Sequence, residues 1–247
     1  NKNSSNFNFN LLNQIKKFPR RELIDELKIN FNKFEEIVKN WINMQEFVNL
    51  KQEFTYLKTH NAMCTINNYS FTNKKNTIGF IYLVRDPRDV ILSYSHHIGK
   101  DSEFTYELMT SKSAFEQFNE TKDDEILLGS WSENYKSWRD YNAVKKIIIK
   151  YEDLIQNPYK NFFNIINYLN GINGLPIDEK MIKKSIENTS FKNLQNLEKK
   201  FGFKEKKKEG VFFRKGKSGN WKNELDKKIA FQIEQAFKEE MKELKYI

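Results

Sequence analysis

Three short segments of this 247-residue chain carry side chains that could act on an anion. In the first, an apolar run over residues 80–84 stops at Arg85-Asp86-Pro87-Arg88-Asp89, and Ser93 follows. A planar guanidinium at a strand's end, with a hydroxyl on the next element, suits a phosphate clamp. The plainer reading is an Arg–Asp turn that organises a strand-to-helix junction. The second segment is Arg214-Lys215-Gly216-Lys217-Ser218-Gly219-Asn220-Trp221-Lys222-Asn223. Its two glycines permit close backbone approach to a ligand. Its successive N–H groups could form an anion-binding nest, and a basic RNA-binding loop is the rival reading. The third is Lys58-Thr59-His60. Imidazole titrates near neutrality, so a histidine beside a lysine past a strand end is a general-base candidate. A lone histidine is more often structural.

The flanking patterns say which elements hold these groups. Residues 54–57, 78–84 and 144–149 are apolar runs bounded by polar residues and read as strands of one sheet. Pro87 cannot continue a central strand and suits a first helical turn, with Asp86 as its cap. Arg85 then stands at a strand's carboxyl end and Ser93 two turns into the next helix. Residues 20–46 repeat Leu23, Leu27, Phe31, Phe34, Ile37 and Trp41 at helical steps. Helical patterns also cover residues 88–97, 127–141, 159–169, 178–187 and 225–244, and residues 104–118 hold one or two short ones. Strands alternating with helices predict an α/β fold with a central parallel sheet flanked by helices. Ligands of such folds bind beyond the carboxyl ends of the strands.

Composition narrows the partners. The formal charge is +9, concentrated between Lys199 and Lys217, where nine Lys/Arg face two Glu. That balance suits an anionic partner, whether nucleotide, nucleic acid or membrane surface; a solvated basic loop is the plain alternative. One cysteine, Cys64, rules out an intrachain disulfide framework and a cysteine-based metal site, and fits a reducing compartment. No apolar run approaches the roughly 18–20 residues of a membrane span. No linker-like segment divides the chain, so one domain over residues 1–247 is expected.

The ordered set of segments resembles the PAPS-dependent sulfotransferases. Lys58-Thr59-His60 is similar to their Lys-Thr-His segment, and Arg85 to Ser93 resembles their 3′-phosphate element. Tyr151-Glu152-Asp153, at the end of a strand, is similar to their Tyr-Glu-Asp element. Thr189-Ser190-Phe191 resembles their Thr-Ser-Phe segment. Arg214 to Asn223 is similar to their Arg-Lys-Gly-x-x-Gly-Asp-Trp-Lys-Asn signature, with Asn220 in place of the Asp. The likeness runs over about residues 54–223.

That resemblance implies a P-loop nucleotide-kinase-like sulfotransferase fold. It implies transfer of a sulfuryl group from 3′-phosphoadenosine 5′-phosphosulfate (PAPS) to a hydroxyl or amine, with 3′-phosphoadenosine 5′-phosphate (PAP) as product and no metal. His60 would take the acceptor's proton, with Lys58 assisting at the sulfuryl group. Arg85 and Ser93 would bind the 3′-phosphate, with Arg214, Lys215 and Gly216 closing over it. Tyr151, Thr189 and Phe191 would meet the adenine side. The acceptor would be a small molecule or a carbohydrate, the partner no nucleic acid, and the compartment the cytoplasm. The family's Tyr-Pro-Lys-Ser-Gly-x-Thr-Trp loop, which holds the 5′-phosphosulfate, has no counterpart string here; the expectation is that its strand, loop and helix precede Asn1. A nucleotide-binding relative without transfer activity, and a basic nucleic-acid-binding protein, are the alternatives.

Overall fold

Locally encoded caps and turns set most element boundaries in the computed structural model, which describes residues 16–30, 33–50, 54–116, 126–203 and 211–247. Phe31, Phe118 and residues 204–210 of the basic run lie outside the described residues. From the amino end the elements are β1 (Lys16–Lys17), α1 (Arg21–Glu26), α2 (Phe34–Lys39), α3 (Trp41–Asn49), β2 (Leu57–Lys58), β3 (Thr65–Ile66), β4 (Tyr69–Ser70), β5 (Gly79–Val84), α4 (Pro87–Ile98) and α5 (Ser102–Thr110). There follow β6 (Phe115–Glu116), β7 (Ile126–Leu127), α6 (Trp131–Asp140), β8 (Lys145–Lys150), α7 (Tyr151–Gln156), α8 (Pro158–Asn173), α9 (Glu179–Asn188), α10 (Phe191–Phe201), α11 (Trp221–Glu224), α12 (Lys227–Ala236) and α13 (Lys238–Glu243). They fall into two compact units. The larger comprises residues 16–150 and 220–247, and the smaller holds residues 151–219.

In the larger unit, β5 and β8 pair in parallel with Gly79 opposite Lys145 and Val84 opposite Lys150. Ile147, Ile148 and Ile149 are β-branched and suit that pleated surface. Asp86 then caps α4 by accepting from the Arg88 N–H at 3.0 Å, and Pro87 opens the helix. Gly99, at φ 66°, ends it in the left-handed conformation. Ser130 caps α6: its hydroxyl accepts from the Glu133 N–H at 3.2 Å and donates to the Glu133 carboxylate at 3.3 Å. One core gathers Phe18, Ile37, Trp41, Met44, Phe71 and Trp138. Another packs Ile91 of α4 against Leu225, Ile229, Ile233, Phe237 and Met241.

The smaller unit is helical among its described residues. α8 packs against α7 and α9, and α10 against α9. Asp178 caps α9 by accepting from the Lys180 and Met181 N–H groups.

Two sequence expectations are corrected. The run at residues 54–57 is not a strand of the β5–β8 sheet: Leu57 and Lys58 pair in parallel with Lys16 and Lys17, in a sheet of their own. Phe54 and Tyr56 are exposed, so the run lacks the two-sided burial of a central strand. Residues 20–46, read as helical, hold α1, α2 and the start of α3. After α1 the Ile29 N–H bonds to the Ile24 carbonyl and the Lys28 N–H to Asp25, with Lys28 at φ 55°. This is a Schellman turn with lysine where glycine is usual. One short helix, α5, covers residues 104–110 as expected; Phe115 pairs antiparallel with Leu127, so the helical pattern read from residue 127 begins instead at Trp131. The pattern over residues 225–244 is broken at Phe237 into α12 and α13. Among the described residues, no helix is long and apolar enough to cross a membrane.

Candidate functional site

The turn from β5 into α4 carries Arg85 and, farther along the helix, Ser93. Arg85 is partly buried, and its Nη2 stands 3.7 Å from Asp89 Oδ2. Asp89 is itself buried, and its other oxygen accepts from the Trp221 N–H at 3.0 Å. Arg88 sits beneath. Its guanidinium donates to both Asp86 oxygens, at 3.0 and 2.7 Å, to the Tyr246 carbonyl at 2.9 Å and to Glu234. It also lies 3.8 Å from the centre of the Trp221 ring. Burial pulls the Arg88 pKa down, but the hydrogen bonds and charges of Asp86 and Glu234 outweigh it and hold the pKa above the ordinary arginine value. The turn that presents Arg85 is therefore fixed by buried charge pairs reaching the end of the Arg214–Asn223 signature. Ser93 is exposed on α4.

Lys58 and His60 line a shallow surface cleft with Lys17, Thr59 and Ile126. The backbone under them is tightly held. Thr59 Oγ1 accepts from the Asn61 N–H at 3.0 Å. Asn61 is wholly buried: its side chain accepts from the Leu127 N–H at 3.0 Å, and its carbonyl accepts from Trp138 Nε1 at 2.9 Å. Asn134 of α6 donates to the carbonyls of His60 at 3.1 Å and Leu128 at 2.8 Å, while the Tyr82 hydroxyl donates to its side-chain oxygen at 2.9 Å. Burial, with Tyr135 nearby, raises the Tyr82 pKa far above that of an ordinary phenol, so this donor keeps its proton.

In the smaller unit α10 grips the basic segment. Glu198 is buried, and its carboxylate accepts from the N–H groups of Phe212 at 2.6 Å and Phe213 at 2.9 Å. Gln195 donates to the carbonyls of Phe213 at 2.8 Å and Arg214 at 3.4 Å. The Arg214 N–H donates to the Phe212 carbonyl at 3.0 Å. The amides of Phe212, Phe213 and Arg214, entering the loop, are thus committed within the protein. Gly216, at φ 58°, lies against Phe191: a Cβ there would stand 2.1 Å from a ring carbon. The Arg214 and Lys215 side chains are exposed.

Among the residues singled out from sequence, Lys58 and His60 share a cleft, Arg85 and Ser93 share one strand–helix turn, and Phe191 and Gly216 touch. Thr189 ends α9, and its hydroxyl donates to the Ser185 carbonyl at 2.7 Å. Tyr151 is partly buried as the first residue of α7. Sequence reasoning missed Asn61, Asn134, Gln195 and Glu198. The four- and three-residue steps from Phe191 to Gln195 to Glu198 do mark one helix face. Nothing in those steps says which segment the face holds.

Comparison with known proteins adds to this geometry. The family model described as "Sulfotransferase domain" matches residues 5–245. The chain is similar to an amine sulfotransferase of Oryctolagus cuniculus, 28% identical over 183 residues that cover 70% of this chain and 58% of that protein. It is also similar to sulfotransferase 1E1 of Bos taurus, 27% identical over 172 residues, 66% of this chain and 54% of that one. The chain therefore spans between half and three-fifths of the length of these relatives. Its fold resembles mouse sulfotransferase SULT7A1 complexed with PAP, with a TM-score of 0.57 and 21% identity, over 80% of this chain and 71% of that one.

Proposed function

The chain belongs to the sulfotransferase domain family, and from that premise we propose that it serves transfer of a sulfuryl group from PAPS to a hydroxyl or amine of a small-molecule or carbohydrate acceptor. The observation that carries this reading is the contact of Gly216 with Phe191. It joins two of the segments the family uses for the nucleotide, in a backbone conformation that favours glycine. The residues fit a nucleotide with a 3′-phosphate: Arg85 is pre-set by Asp89, and Arg214 and Lys215 are exposed cations beside a close-packed glycine.

When bound, PAPS supplies the activated sulfuryl group. In this reading Arg85 and Ser93 hold the 3′-phosphate from the larger unit. Arg214, Lys215 and Gly216 belong to the same function in the smaller one, and Tyr151, Thr189 and Phe191 serve the adenine side. As the new bond to sulfur forms and the bridging S–O bond breaks, His60 takes the acceptor's proton. Lys58, in the same cleft, places positive charge beside the reacting group. The family resemblance supports a transfer that uses these cations without a metal, in the cytoplasm. The family match over residues 5–245 supports reading both units as one sulfotransferase domain.

Calorimetric titration tests the nucleotide half. The wild-type chain should bind PAP more tightly than adenosine 5′-phosphate, and Arg85→Ala should remove most of that difference, about tenfold or more in affinity. Equal loss for both ligands would mean that Arg85 only supports the fold. On the full-length product of the gene, His60→Asn should abolish transfer while PAP affinity stays within about twofold. Retained turnover would remove His60 from the mechanism.

A further inference from the structure

We infer that α10 sets the chain's preference for a 3′-phosphate, with Gln195 and Glu198 as positioning residues for Arg214 and Lys215; this rests on the nucleotide reading above. Phe191, Gln195 and Glu198 lie on one helical face, and each meets the same segment. Glu198 takes the amides of Phe212 and Phe213, Gln195 takes the carbonyls of Phe213 and Arg214, and the Phe191 ring bears on Gly216. Hydrogen bonds at both peptide groups of Phe213 fix the backbone immediately before Arg214. The contact at Gly216 fixes it immediately after Lys215. Two long, exposed cations thus spring from a backbone clamped on both sides, so less freedom remains to be lost when they engage an anion.

Glu198 makes the inference sharp because charge alone argues the other way. It is a buried carboxylate just before the basic run, and its bonds to the Phe212 and Phe213 amides bring it within two residues of Arg214. By Coulomb's law a carboxylate near a phosphate weakens phosphate binding. If Glu198 mattered only as a charge, neutralising it would tighten binding. If it holds the backbone, neutralising it loosens the loop, because glutamine offers one acceptor oxygen and turns an N–H donor toward a second N–H.

The experiment is a calorimetric titration of PAP and of adenosine 5′-phosphate into wild-type, Glu198→Gln and Gln195→Ala chains, with melting temperature recorded for each. Glu198→Gln should weaken PAP about tenfold and leave adenosine 5′-phosphate within about twofold. Gln195→Ala, which also decides the matter if Glu198→Gln does not fold, should weaken PAP about three- to fivefold with the same selectivity. Tighter PAP binding by Glu198→Gln, equal loss for both ligands, or no change in either variant would each overturn the inference while leaving the nucleotide reading intact. A wild-type chain that binds PAP no better than adenosine 5′-phosphate would overturn both.

Discussion

Arg85 and Arg214 are proposed for the same nucleotide, yet their surroundings are built on different physics. Around Arg85 the β5–α4 turn rests on buried side chains: Asp86, Arg88 and Asp89 are each buried, and they bond to one another, to Trp221 and to the carboxyl-terminal residues Glu234 and Tyr246. Around Arg214 the support is a single helix face holding a backbone, with the cation itself exposed. Buried charge pairs are strongly destabilising to break, because the partner left behind is uncompensated. Backbone hydrogen bonds at a surface loop contribute less to folding but decide local geometry. The first region should therefore respond to mutation mainly in stability, and the second mainly in binding.

Arg88→Ala is the largest expected effect. It strands the buried Asp86 carboxylate and the Tyr246 carbonyl and removes the stack on Trp221. Denaturant unfolding should show a loss of about 3–5 kcal/mol. Arg214→Ala, measured beside it, should leave the midpoint nearly unchanged. A small loss for Arg88→Ala would erase the contrast between the regions.

Gly216→Ala comes next. The left-handed conformation costs an alanine about 1–2 kcal/mol, and its Cβ would stand 2.1 Å from the Phe191 ring. PAP affinity should fall by about tenfold or more, with a smaller change in melting temperature than for Arg88→Ala. Adding Phe191→Ala removes the clash but neither the strain nor the loss of the adenine-side ring, so PAP affinity should stay low in the double variant. Full recovery would remove Phe191 from the nucleotide reading.

The smallest effect concerns pH and belongs to the larger unit. The folded-state pKa of Tyr82 is raised, first by burial and then by Tyr135. A raised phenol pKa means stability that is complete below the unfolded value, about pH 10, and is lost as pH rises toward the folded value. Stability should therefore decline above about pH 10, and Tyr82→Phe should flatten that decline. At pH 8 the same substitution leaves Asn134 without its hydroxyl donor and should cost about 1 kcal/mol. An unchanged alkaline slope would assign the decline to other groups, Tyr135 first, whose pKa is also raised by burial.

Much of this was legible in the residues themselves because it is local. Asp86 before Pro87 marks a helix start that the structure shows, and the helical pattern over residues 178–187 matches α9. The β-branched run ending at Ile149 marks a strand parallel to β5. Each motif joins residues within a few positions, so spacing and side-chain chemistry suffice. Where the helical stretch over residues 20–46 turns after α1, the cause is also local, but lysine at φ 55° does not advertise a left-handed turn as glycine does.

Contacts between distant residues were decided only by the tertiary structure. Leu57 finds Lys16 rather than β5, Asn134 reaches the His60 carbonyl across 74 positions, and Asp89 reaches the Trp221 amide across 132. No spacing rule joins such residues, because the intervening chain can close the loop in many ways at similar entropic cost. The sequence by itself determined which side chains could meet an anion or take a proton, and which elements begin beside them. Packing determined which backbone each helix face would grip, because a face at helical spacing declares that it is buried without declaring what buries it.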